Sequence, residues 1–215
     1  MTRRTVAVIP GVGVRRYLLP TVDAVRDRGW EVTLLPGLGQ PAMASDLHLY
    51  ADQIGPGLAR GPLDLLVGLS VGCQAAALVA TRYRPSARLV LVGPTVDPAC
   101  RSVPRLMARW VLAGTREPSD LLPRQAADWR DAGPRSLMRV VRSAVALRLE
   151  DMSLPRSVRT CVVHADSDLI TSHEYAASLA ATWGGQFVSV PHATHSWPYG
   201  DPDRFAGLMK RLLDD

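Results

Sequence analysis

Leu65-Leu66-Val67-Gly68-Leu69-Ser70-Val71-Gly72 is the stretch on which the fold turns. An apolar run enters it, a glycine-flanked serine closes it, and no charge appears before Thr81. A membrane span needs about 20 apolar residues. This stretch falls short of that and contains Gly68, Ser70, Gly72 and Gln74. It therefore reads as a strand, Leu63 to Leu69, running through a tight turn into a buried helix, Val71 to Tyr83.

The same alternation extends outward in both directions. Thr5-Val6-Ala7-Val8-Ile9 is a β-branched run stopped by Pro10-Gly11, and Glu31 to Leu35 is a second strand stopped by Pro36-Gly37-Leu38-Gly39. Arg15 to Arg28 has helical spacing and is capped by Gly29, and Ser45 to Ala59 is a helix with Ser45 as its N-cap. Downstream, Ala87 to Val92, Thr160 to His164 and Gln186 to Val190 read as strands. Ser172 to Trp183 and Asp203 to Leu213 read as helices. Strands alternating with helices imply an α/β fold, a doubly wound and mainly parallel sheet of about six strands. Asp97 to Arg156 breaks the pattern. Its three segments, Val103 to Ala113, Pro123 to Asp131 and Ser136 to Asp151, are all helix-like, so residues 97–156 are expected to form a helical lid inserted into one domain spanning 1–215.

Composition narrows the function. Apolar residues make up 47% and charged residues 21%, which suits a soluble globular chain. The net charge is +5, but the arginines are scattered among Asp and Glu, with no basic stripe interleaved with aromatics. Nucleic acid is therefore not an expected partner. Cys73, Cys100 and Cys161 have neither disulfide nor zinc spacing, so no metal is expected and a reducing cytoplasm fits. The first apolar run is too short for an export signal.

Gly68-Leu69-Ser70-Val71-Gly72 matches G-x-S-x-G in a strand–turn–helix setting, which a nucleophile elbow requires. With this motif and context the chain resembles the α/β-hydrolase family over nearly its whole length. The resemblance implies a triad in the order serine, acid, histidine. Ala165-Asp166-Ser167-Asp168 follows the fifth strand like the family's G-x-x-D turn, and Thr194-His195 follows the last strand like its G-H turn. Ala165 and Thr194 stand where glycine is usual. The implied roles are Ser70 as nucleophile, His195 as base and Asp168 as acid, with Asp166 and Asp97 competing for the acid and His192 for the base. Pro10-Gly11-Val12-Gly13 resembles the family's first loop, which assigns oxyanion donation to the Val12 and Val71 amides.

The lid carries bulky apolar residues, among them Met107 and Trp110. With Trp197 they are candidates to line an acyl pocket that prefers medium-chain or aromatic groups. The function so implied is a serine hydrolase acting on an ester or thioester of an apolar small molecule through an acyl-enzyme on Ser70, without a cofactor or membrane attachment. Two alternatives stand beside it: a non-hydrolytic or C–C-cleaving reaction on the same fold, and a silent ligand-binding protein.

Overall fold

The computed structural model describes residues 3–214. Six strands, β1 (Thr5–Ile9), β2 (Glu31–Leu34), β3 (Leu65–Leu69), β4 (Arg88–Val92), β5 (Thr160–Ala165) and β6 (Gln186–Val190), form one parallel sheet in the order β2-β1-β3-β4-β5-β6. Alternate side chains of each inner strand enter different cores, as the two-residue period of a strand requires. Ala7 and Ile9 of β1 join one cluster with Leu66, Leu89 and Leu91, whereas Val6 and Val8 join the other with Leu65, Val67 and Val90. Helices α2 (Leu47–Arg60), α3 (Gly72–Arg82) and α7 (His173–Thr182) cover the first face. The second is covered by α1 (Leu19–Arg26) and α9 (Pro202–Asp214). Burial on both faces is why the four inner strands read as nearly continuous apolar runs, whereas the edge strands β2 and β6 keep exposed residues.

Between β4 and β5 lie three helices, α4 (Val103–Gly114), α5 (Leu121–Ala132) and α6 (Pro134–Ala146). The remaining short helix, α8 (Trp197–Gly200), precedes α9. Strand order reverses beside β1, because β2 lies on one side of it and β3 on the other. In such sheets the crevice for ligands opens at the carboxyl ends of the strands flanking this reversal. Ser70 follows β3 and Val12 follows β1, so both sit at its mouth.

Three local expectations are corrected. Asp46, not Ser45, caps α2, accepting hydrogen bonds from the His48 and Leu49 amides at 2.9 and 3.1 Å. The Ser45 hydroxyl turns instead to Ser136 at 2.6 Å. The helix expected from Arg15 begins as a 3-10 turn at Arg16–Leu18, and regular α-helix starts only at Leu19, with Pro20 in its first turn. Finally, α6 stops at Ala146, and Leu149–Asp151 forms a separate 3-10 turn.

Candidate active site

Ser70 has φ +54°, a left-handed conformation that a serine adopts only where the surroundings impose it. Strand and helix meet here at very short range. A Cβ at Gly68 would lie 2.6 Å from Cys73 Cα, and one at Gly72 would lie 2.3 Å from the Ile9 carbonyl oxygen. Only glycine fits at either position, so the flanking residues of the motif are fixed by packing. The Ser70 amide donates to the Val92 carbonyl at 2.9 Å. Its hydroxyl is paired with Thr95 Oγ1 at 3.1 Å.

The acid and base candidates meet as well. His195 Nδ1 donates to Asp168 Oδ2 at 2.7 Å, and both side chains are almost fully buried. The other oxygen, Asp168 Oδ1, accepts from the Ile170 and Thr171 amides at 2.7 and 3.1 Å. Burial alone would drive the Asp168 carboxyl upward; the adjoining imidazole and these amides outweigh it and hold the group below its ordinary value. For His195, burial pushes down, but the Asp168 carboxylate and then Glu117 prevail and raise it. Because Nδ1 carries the proton toward Asp168, Nε2 is the ring's free base. Among the described residues that nitrogen has no hydrogen-bond partner.

Sequence reasoning had no signal for Gly93. It has φ +59°, and a Cβ there would lie 3.0 Å from His195 Cε1 and 3.4 Å from Asp168 Oδ2. Its bare backbone is the floor beneath the pair.

The rival residues are engaged elsewhere. Asp97 caps the turn after β4 through the Ala99 amide at 2.7 Å and accepts from the Ser172 amide, ahead of α7, at 2.9 Å. Asp166 accepts from the Ala193 amide at 3.2 Å and from Ser167 Oγ at 3.1 Å, bracing the loop that holds His195. His192 is exposed. Ala165 and Thr194 are not among the residues with positive φ, so these turns do not need the glycines they lack. The Thr194 hydroxyl has a use of its own, donating to Glu117 Oε2 at 2.8 Å.

Val12 and Val71 flank Ser70 from the β1 and α3 sides. The β1 loop is propped by the Gly13 amide, which donates to Leu38 O at 3.0 Å, and by Trp129 Nε1, which donates to Val12 O at 3.0 Å. Leu38 lies in the second glycine-rich turn, which serves as a brace.

The helices between β4 and β5 are fastened over this crevice by polar bonds to the loops around it. Asp128, 1% exposed, accepts from the Arg15 and Arg16 amides beyond β1 at 2.7 Å each. Ser136 Oγ donates to Gly39 O after β2, Arg109 Nη1 to Leu169 O after β5, and Glu117 receives Thr194 and Ser196 after β6. Under them lies a cavity of only about 30 Å³ lined by Ser70, His195, Val12, Tyr17, Trp110 and Gln125, among others.

Of the three proposed pocket residues, Trp110 lines this cavity, with its ring edge-on to Trp129 at 5.4 Å. Met107 and Trp197 do not. Met107 packs against the core on the α2 and α3 side, and Trp197 is 4% exposed with its ring against Phe205 at 5.7 Å. Apolar bulk beside the histidine loop was drawn into the nearest core.

Among the described residues, no cluster of three or more His, Cys, Asp or Glu side chains could hold a metal ion, and no helix is long and apolar enough to cross a membrane. The sequence model of the alpha/beta hydrolase family matches residues 6–208. No curated protein matches the sequence. Among solved structures, a hydrolase from Oleispira antarctica superposes with a TM-score of 0.81 at 14% identity, covering 100% of this chain and 92% of that one. An esterase from Exiguobacterium antarcticum gives 0.78 at 13% identity, with 100% and 93% covered. A bromoperoxidase from Bacillus anthracis gives 0.74 at 17% identity, again with 100% and 93% covered. At these identities the likeness is one of fold.

Proposed function

The chain belongs to the alpha/beta hydrolase family, and on that premise we propose that it is a serine hydrolase of small carboxylic esters or thioesters, acting through an acyl-enzyme on Ser70. The observation that carries this reading is the 2.7 Å bond from His195 Nδ1 to Asp168, in a residue that lines the same cavity as Ser70. That bond fixes the tautomer with a basic Nε2 directed to other work.

In the proposed reaction, substrate enters and the Ser70 hydroxyl leaves Thr95 by a side-chain rotation, which takes picoseconds to nanoseconds for an unhindered group. His195 Nε2 takes the hydroxyl proton as Oγ bonds to the substrate carbonyl carbon. The carbonyl π electrons move to oxygen, which the Val12 and Val71 amides receive at the positive end of α3. Collapse expels the alcohol or thiol, to which imidazolium returns the proton. Water then repeats the sequence on the acyl-enzyme and releases the acid. Asp168 stays ionised throughout and stabilises the imidazolium.

We read the acyl group as short, because the cavity beside Ser70 is small and Trp110 forms part of its wall. This reading differs from the medium-chain or aromatic preference expected from the sequence, and rests on Met107 lying outside the cavity lining.

Fluorophosphonate labelling tests the assignment. The purified protein is expected to take up one equivalent and Ser70→Ala none, with turnover of short p-nitrophenyl esters falling by several powers of ten. A folded wild-type protein that resists the label would leave a ligand-binding protein on a hydrolase scaffold.

A further inference from the structure

Glu117 lies in the bend between α4 and α5, far along the chain from the histidine loop. Its carboxylate nevertheless reaches both neighbours of His195. Oε2 accepts from Thr194 Oγ1 at 2.8 Å, and Oε1 accepts from the Ser196 amide at 3.1 Å. One planar group thus grips the chain immediately before and immediately after the base. Asp168 holds the imidazole ring, but among the described residues it makes no hydrogen bond to Thr194 or Ser196.

We propose that Glu117 is a positioning residue for His195, setting the height of the base above Ser70 by clamping Thr194 and Ser196 to the helical insertion. This rests on the reading of His195 as the general base. The clamp gives the insertion a part in the chemistry beyond walling the cavity, because the insertion whose Trp110 and Gln125 line the cavity with Ser70 also holds the loop of its proton acceptor. Thr194, which stands where the family resemblance leads one to expect glycine, is the threonine whose hydroxyl the clamp uses.

A neutral acceptor would serve a purely structural clamp at less desolvation cost than a half-buried carboxylate. The charge therefore has a second consequence. The ionisable groups near His195 are Asp168 beyond β5, Glu117 from the insertion and Tyr17 across the cavity, with Cys73 beneath the Ser70 turn acting on Asp168. Burial holds the Tyr17 phenol and the Cys73 thiol well above their ordinary values, so both are neutral. Burial drives His195 down, and the two carboxylates, Asp168 foremost, push it back up.

The test uses the whole chain and three kinds of variant. Glu117→Gln keeps the shape and removes the charge, Glu117→Ala removes both, and Thr194→Val against Thr194→Ser deletes or retains one bond. The His195 ring is titrated by proton NMR, assigned with His195→Asn, and kcat and KM are measured against pH. Glu117→Gln is expected to move the His195 ionisation and the acid limb of kcat/KM to lower pH together. Glu117→Ala should lower plateau kcat by about 10- to 100-fold, the scale of a misplaced catalytic group, with KM little changed. Thr194→Val should lose about fivefold in kcat, on the scale of one hydrogen bond, and Thr194→Ser should restore it. An unmoved His195 titration in Glu117→Gln, or equal rates for the two Thr194 variants, overturns the proposal. The Thr194 pair still decides the matter if Glu117→Ala does not fold. The NMR titration is independent of turnover, so failure of Ser70 to react with fluorophosphonate would sink the hydrolase reading without deciding this one.

Discussion

Gly72→Ala places a methyl group where β1 and α3 leave no room. The new Cβ would lie 2.3 Å from the Ile9 carbonyl oxygen and 2.6 Å from that of Pro10. Both obstacles are backbone, so no side chain can swing aside. Restoring ordinary contact requires the first turn of α3 and the end of β1 to part by about 1 Å. Those two segments carry Val71 and Val12, so the separation widens the gap between the proposed oxyanion donors. Overpacking of this kind costs about 1–3 kcal/mol of stability, and a 1 Å displacement at a reacting centre costs up to about 100-fold in rate. Urea unfolding and kcat/KM on p-nitrophenyl acetate measure the two effects on the same preparation. Gly57→Ala, within α2 and with nothing within 4 Å of its Cβ, is the control. It should gain about 0.5–1 kcal/mol and keep its rate. Wild-type rate and stability in Gly72→Ala would refute the idea that contact between β1 and α3 spaces the amides.

Asp168→Asn is expected to lower kcat by about four powers of ten, as loss of the orienting carboxylate does in such triads. Asp97→Asn and Asp166→Asn should lose far less, and a crippled Asp97→Asn would move the acid to β4. Trp110→Ala should raise kcat/KM for hexanoyl relative to acetyl esters, and an unchanged ratio would mean that this ring does not bound the acyl site. Activity should rise with pH through one ionisation lying above the ordinary histidine value of about 6.5, because the carboxylates facing His195 favour its protonated form while the base must be neutral. The sign for stability is opposite: a raised histidine stabilises the fold fully below about pH 6.5 and loses that contribution as pH rises through the folded-state ionisation. A midpoint below 6 would contradict the arrangement around His195.

Ser70, Asp168 and His195 stand out as candidates in the sequence because each sits just past a strand end, and strand ends are marked locally by apolar runs and turn residues. Asp166 and Asp97 were harder to set aside, since choosing among three aspartates needs the hydrogen bonds each makes with distant amides. Glu117 and Thr95 had no local mark at all. Their partners are far along the chain, and no periodicity records such a pairing. Trp110 and Met107 share one apolar helix, yet only one reaches the cavity, because helical spacing gives a side of the helix and not what lies opposite it. Ser45 and Asp46 are adjacent residues that can both cap a helix, and the Ser136 hydroxyl that pairs with Ser45 belongs to α6, out of reach of local sequence.

The insertion between β4 and β5 divides the chain chemically as well as spatially. The chain before it carries the proposed nucleophile and the two proposed amide donors, and the chain after it carries the proposed acid and base. Neither fragment alone would hold a working site. A break in an exposed part of the insertion, such as near Arg116, would leave two pieces whose reunion would restore β4 beside β5 and with it the proposed site. On the proposed reading, recovery of turnover would signal that the two halves have met.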